Sequence, residues 1–126
     1  MAKKLALLLS VLIGTAGLAQ ASSGFTFRFK GVDGQPLPLD QFRGKALLIV
    51  NTATACGLSY QFDHLEKVWQ DRKDDGLVIV GVSSNDFGNQ EPRKGKALLS
   101  HCKRQYGVSF PLTERTAVVG PKAHPF

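Results

Sequence analysis

The chain is poor in the features that would give it an unusual architecture. It has only 2 cysteines in 126 residues, which excludes a disulfide-dense small domain. Its 13 glycines follow no period, which excludes a collagen-like repeat. Only one long apolar run is present, which excludes a polytopic membrane protein. No C-x-x-C pair, P-loop, dinucleotide fingerprint or Ser-His-Asp arrangement occurs, so the chemistries those patterns serve have no support here. His64, His101 and His124 lack metal-ligand spacing, and no metal is expected. What remains is a chain that is 43% hydrophobic and 21% charged, the balance of one ordinary globular domain rather than a disordered tail.

The formal net charge is +6. Only Arg93 to Lys96 forms a basic cluster, and no aromatic residues interleave it. Nucleic acid is therefore not an expected partner. Part of the charge lies in an N-terminal segment that reads as a secretory signal peptide, residues 1–21. Lys3 and Lys4 form its positive region, Leu5 to Ala19 its apolar region, and Ala19-Gln20-Ala21 the small-x-small pattern for cleavage before Ser22. The run is short for a spanning helix, so no stable membrane insertion is expected once the leader is removed. The localisation expected is periplasmic or secreted. In such an oxidising compartment the two cysteines allow either a structural disulfide, Cys56–Cys102, or a redox-active pair.

Residues 22–126 read as one α/β domain. Gly31-Val-Asp-Gly34 signals a turn, and Leu39 to Phe42 a single helical turn ended by Gly44. Ala46–Val50 and Leu77–Val82 are continuous apolar runs, the mark of strands buried on both faces. Between them Phe62, Leu65, Val68 and Trp69 recur at helical spacing, predicting a helix from Leu58 to Arg72 that Asp74-Asp75-Gly76 breaks. A second helix is predicted over Gly95–Tyr106, with Ala97, Leu98 and His101 on one side and Gly107 ending it. Phe110–Leu112 and Ala117–Val119 are short candidate strands. The succession is strand, helix, strand, helix, strand. Trp69 reads as a packing residue, Asp63 and Glu66 as a solvated helix face, and Glu91, before Pro92, as a loop-shaping residue with at most a weak role in positioning Gln90.

Cys56 follows the first buried strand and precedes the first helix. A helix N-terminus favours negative charge, and a thiol placed there is activated as a thiolate nucleophile. Its neighbours Ala55 and Gly57 are small, which leaves room for a substrate. An inert buried cysteine is the competing reading of the position.

Leu48-Ile-Val-Asn-Thr-Ala-Thr-Ala-Cys-Gly57 resembles the peroxidatic segment of the glutathione peroxidase family. The resemblance includes Gly34-Gln-Pro-Leu-Pro-Leu39, Phe42-Arg-Gly-Lys45, Asn85-Asp-Phe-Gly-Asn-Gln-Glu-Pro92, Tyr106-Gly-Val-Ser-Phe-Pro-Leu112 and Ala123-His-Pro-Phe126. It implies a thioredoxin-like fold, a central sheet flanked by helices, and a thiol-dependent peroxidase acting on hydrogen peroxide or organic hydroperoxides in oxidative stress. It implies that Cys56 is the peroxidatic residue and that Gln90, in the F-G-x-Q-E-P motif, hydrogen-bonds the thiolate or the peroxide. An amide does so without adding charge. Cys102 matches the region where cysteine-type members carry a resolving cysteine. No cofactor is implied, only an external thiol reductant, a thioredoxin-like protein or glutathione.

Two departures accompany the resemblance. Ser84 stands where the family often has a cysteine. The family's W-N-F segment, with the tryptophan and asparagine of its catalytic tetrad, lies beyond the region matching His124-Pro125-Phe126. On that reading the C-terminal elements of the fold are missing, and a redox-inactive thioredoxin-like module or a sequence fragment is the alternative to an enzyme.

Overall fold

A computed structural model describes residues 23–126; the expected leader lies outside the described residues. Two 3₁₀ turns, Gly24–Thr26 and Leu39–Phe42, accompany four strands and two helices. The strands are β1 (Arg28–Lys30), β2 (Pro36–Pro38), β3 (Ala46–Thr52) and β4 (Leu77–Ser83). The helices are α1 (Gln61–Arg72) and α2 (Gly95–Tyr106). Strands β1 and β2 pair antiparallel about the Gly31–Gly34 turn, in which Gly34 N–H donates to Gly31 O at 2.8 Å. Strands β3 and β4 pair parallel from Ala46↔Leu77 to Thr52↔Ser83, with α1 as the connection that parallel strands require.

The segment after α2 joins these two ribbons. Gly81 N–H donates to Pro111 O and Thr113 N–H to Gly81 O, both at 2.9 Å. The same segment reaches β1, with Val32 N–H to Leu112 O at 3.0 Å and Glu114 N–H to Lys30 O at 2.8 Å. The candidate strand at Phe110–Leu112 is thus an irregular inner connector that makes isolated bridges at Leu112 and Thr113.

Strand β4 has the buried character its apolar run predicts. Ile79 and Val80 are 0% exposed, and the strand divides two core clusters. On one side Ile79 packs with Val32, Phe62, Leu98, Cys102, Val108, Phe110 and Leu112. On the other, Val78, Val80 and Val82 pack with Phe29 and Leu39. Trp69 packs against both, as a packing residue should.

Several expectations are corrected. Strand β3 is not buried on both faces. It has one hydrogen-bonded neighbour among the described residues, and Leu48 is 39% exposed. Helix α1 begins at Gln61 rather than Leu58, because successive turns occupy residues 56–60. It buries Phe62 and half-buries Leu65 and Trp69, whereas Val68 stays exposed; in α2 Ala97 is exposed and Cys102 takes the inward position beside Leu98. Ala117–Val119 forms no strand. The Asp86 carboxylate accepts the Val118 and Val119 N–H groups at 2.6 and 3.1 Å, the donors a ladder would have used. Helix α2 ends where predicted: Gly107 takes φ 66°, and its N–H returns to Cys102 O and Lys103 O.

Glu66 is a further correction. It is not simply solvated, since its carboxylate accepts from Ser109 N–H at 2.8 Å and Ser109 Oγ at 2.6 Å. Burial pushes its pKa up, but the hydrogen bonds from Ser109 and Gln70 outweigh that and hold it below the usual carboxylate value. The bonds tie α1 to the segment entering the connector.

The packing of β4 turns on Gly81. A Cβ there would lie 2.6 Å from Leu112 Cδ2 and 3.2 Å from Phe110 Cε2, and both side chains are buried. Gly81→Ala should therefore cost about 1–3 kcal/mol by overpacking. The check is a denaturant titration: the midpoint falls at unchanged slope, and an unaltered midpoint would show that the connector yields freely.

Candidate active site

Two segments leave the C-terminal ends of β3 and β4: the loop 53–60 carrying Cys56, and the loop 84–94 carrying Gln90, which leads into α2. The Cys56 loop leaves β3 with Ser84 N–H donating to Thr52 O at 3.0 Å, which continues the strand pairing one residue beyond β4. Its turns then lead into α1, with Ser59 N–H donating to Cys56 O at 3.0 Å. Cys56 is a free, half-buried thiol on an open cavity of about 150 Å³ between β3 and α1. Val50, Thr52, Leu58, Phe62 and Leu65 line that cavity with it. Leu58 N–H donates to Cys56 Sγ at 3.4 Å, aimed at the atom that would carry a thiolate's charge. The expected placement at a helix N-terminus is therefore modified: a turn amide, not the first turn of α1, reaches the sulfur.

The two loops are zipped together residue by residue. Ala55 N–H donates to Gln90 O at 2.9 Å, so the backbone of Gln90 lies beside the residue preceding Cys56. The Gln90 side chain lies over Gly88, its Cγ 3.8 Å from where a Gly88 Cβ would stand. No hydrogen bond between its carboxamide and the sulfur is present among the described residues. Thr54 N–H donates to Glu91 Oε2 and Thr54 Oγ1 to Glu91 Oε1, both at 2.8 Å. Asn85 orders the second loop, accepting from Glu91 N–H and donating to Asn89 Oδ1, each at 2.9 Å. Ser84, where a cysteine is common, is buried and accepts from Asp86 N–H.

Glu91 is the residue whose weight the sequence understated. It is 0% exposed and accepts from both Thr54 donors and from Arg93 N–H. Arg93 Nη1 donates to Thr54 Oγ1 at 2.9 Å, closing the network. An E-P dipeptide ahead of basic residues was its only local signal.

Cys102 is a free thiol, 0% exposed, in the core cluster. Burial pushes its pKa up to about 12, and the Glu91 charge adds to that while Arg93 opposes it. Cys56 and Cys102 are not bonded to each other and occupy different environments. Phe62 stands in both, lining the Cys56 cavity and packing in the Cys102 cluster. The histidines are packing residues: His124 stacks on Phe29 at 4.0 Å, His64 meets the Tyr60 ring and His101 the Tyr106 ring.

A thiol whose pKa is raised in the folded state keeps its proton when the unfolded chain would lose it. Cys102 therefore leaves stability intact below its unfolded pKa near 9 and withdraws it as pH rises toward about 12. Urea midpoints measured from pH 8 upward should fall more steeply for the wild type than for Cys102→Ala. Parallel curves would mean that the thiol gains solvent in the native state.

The family model described as "Glutathione peroxidase" matches residues 25–126. The chain is 46% identical over 94 residues to a glutathione peroxidase-like peroxiredoxin of Chlamydomonas reinhardtii, covering 75% of this chain and 58% of that one. It is 42% identical over 108 residues to a hydroperoxy fatty acid reductase of Synechocystis sp., covering 85% and 64%. The solved structure of Trgpx in apo form superposes with a TM-score of 0.63 at 34% identity, covering 83% and 61%. In each comparison the chain spans less than two thirds of the other protein's length. The fold is thioredoxin-like, and from the matched segment, the identities and the superposition, the chain belongs to the glutathione peroxidase family.

Proposed function

We propose that this protein is a thiol-dependent peroxidase that reduces hydrogen peroxide or organic hydroperoxides through Cys56. The observation that carries the reading is the contrast between the thiols: Cys56 opens on a cavity with an amide aimed at its sulfur, and Cys102 is sealed in the core. The Cys56 thiolate attacks one peroxide oxygen. An S–O bond forms, the O–O bond breaks, and the other oxygen leaves as water or an alcohol after taking a proton, leaving a sulfenic acid. Gln90 lies on the adjoining loop, and its carboxamide supplies a neutral donor for the peroxide or thiolate.

Cys102 then attacks the sulfenic sulfur. The S–S bond forms, the S–OH bond breaks, and water leaves. A core thiol reaches Cys56 only when α2 opens locally, which makes resolution a partial unfolding event. An external thiol reductant, a thioredoxin-like protein or glutathione, restores both thiols. The segment Lys3-Lys4, Leu5–Ala19 and Ala19-Gln20-Ala21 supports export to a periplasm or beyond the cell, with Ser22 as the mature N-terminus.

One equivalent of hydrogen peroxide should consume two thiols in the wild type and join Cys56 to Cys102. Cys102→Ser should stop at a sulfenic acid that a dimedone-type reagent traps. Peroxide consumption that survives in Cys56→Ser would sink the assignment. N-terminal sequencing of exported protein should read from Ser22, and an intact leader would overturn cleavage there.

A further inference from the structure

We propose that Glu91 is a positioning residue for Cys56, its buried carboxylate locking the loop that bears the thiol against the loop that bears Gln90. The inference rests on the reading of Cys56 as the reacting thiol. Glu91 itself does not meet substrate, since it is 0% exposed and does not line the Cys56 cavity. It acts through Thr54.

The chemistry of the contacts explains why a carboxylate stands there. Three donors converge on it: Thr54 N–H and Thr54 Oγ1 at 2.8 Å, and Arg93 N–H at 3.2 Å. An ionised carboxylate is acceptor-only at both oxygens and satisfies all three. A carboxamide would turn an NH₂ group toward at least one of them. Burying such a group is tolerated only when it is fully hydrogen-bonded, and this one is also held from behind. Asn85 Oδ1 accepts from Glu91 N–H at 2.9 Å, and Arg115 Nη1 donates to Glu91 O at 3.2 Å. The clamp is therefore rigid on the Glu91 side and grips the loop two residues before Cys56.

Register is the consequence. Thr54 N–H goes to the Glu91 side chain and Ala55 N–H to Gln90 O. Adjacent amides of one loop are read by adjacent residues of the other, which sets Ala55 opposite Gln90 and fixes Cys56 one residue further along the loop. Reactions that depend on a fixed attack geometry lose rate steeply when the nucleophile is displaced. Alkylation of an open thiol by a small reagent has no such requirement for Gln90.

The test compares the full chain with Glu91→Gln, Thr54→Val and Thr54→Ser, with Glu66→Gln as a carboxylate control remote from the clamp. Amide exchange at Ala55 is measured against Val80, alongside the rates of Cys56 with hydrogen peroxide and with iodoacetamide. Glu91→Gln should speed Ala55 exchange and slow the peroxide reaction, each by about tenfold, while alkylation changes by less than about threefold. Thr54→Val should act in the same direction, and Thr54→Ser should restore the wild-type pattern. Glu66→Gln should lower the melting point and leave Ala55 exchange alone. If Glu91→Gln does not melt cooperatively, the Thr54 pair decides by the same readings.

Unchanged Ala55 exchange in the folded variants overturns the clamp. So does an equal fall in the peroxide and alkylation rates, which would mark a general loss of thiol reactivity. A wild type that ignores peroxide would instead defeat the peroxidase reading, and Ala55 exchange would still decide whether Glu91 holds the loop.

Discussion

Strand β4 must be dry on both faces and hydrogen-bonded on both edges, and the remaining elements are arranged to meet that demand. Its side chains divide the two core clusters, with Ile79 on one side and Val78, Val80 and Val82 on the other. One edge pairs with β3 along its length, and Gly81 offers its N–H and carbonyl to the connector on the other edge. The missing Cβ at Gly81 lets Leu112 and Phe110 close over the strand. A buried strand cannot leave amides unpaired, so an irregular segment is enlisted where no regular strand lies. That segment also bonds to β1, and the hairpin is held to the sheet by the same few residues.

The site inherits its order from this arrangement. Both loops leave the same ends of β3 and β4, so their spacing is set by strands that cannot slide without exposing apolar side chains. What joins the loops is polar: the Ala55 amide on Gln90 O, and the Thr54 donors on Glu91. Hydrogen bonds to a buried charge have steep geometry and no water to replace them, so they fix the position of the loop that bears Cys56.

The two thiols occupy settings that burial separates. Cys56 sits on an open cavity, whereas Cys102 is packed with Leu98, Val108 and Phe110 and its thiol is pushed up to about 12. Phe62 is common to both settings and stacks on Tyr106 at 5.0 Å. Any opening of α2 that frees Cys102 therefore also disturbs a wall of the cavity at Cys56.

Local sequence by itself determined the backbone states. The branched apolar runs became β3 and β4, the Gly31–Gly34 turn closed its hairpin, and Gly107 ended α2 through a left-handed conformation that glycine adopts without strain. The motif around Cys56, Gln90 and Cys102 placed the chain in its family. Tertiary structure alone decided burial and long-range pairing. The same kind of apolar run gave a sealed β4 and a half-open β3, because burial depends on the neighbours a strand finds and not on its own composition. Three acidic residues that look alike in sequence were captured by distant backbone donors: Glu66 by Ser109, Asp86 by Val118 and Val119, and Glu91 by Thr54. A carboxylate's partners in such pairs lie 32 to 43 residues away, and only folding brings the donors within hydrogen-bond reach.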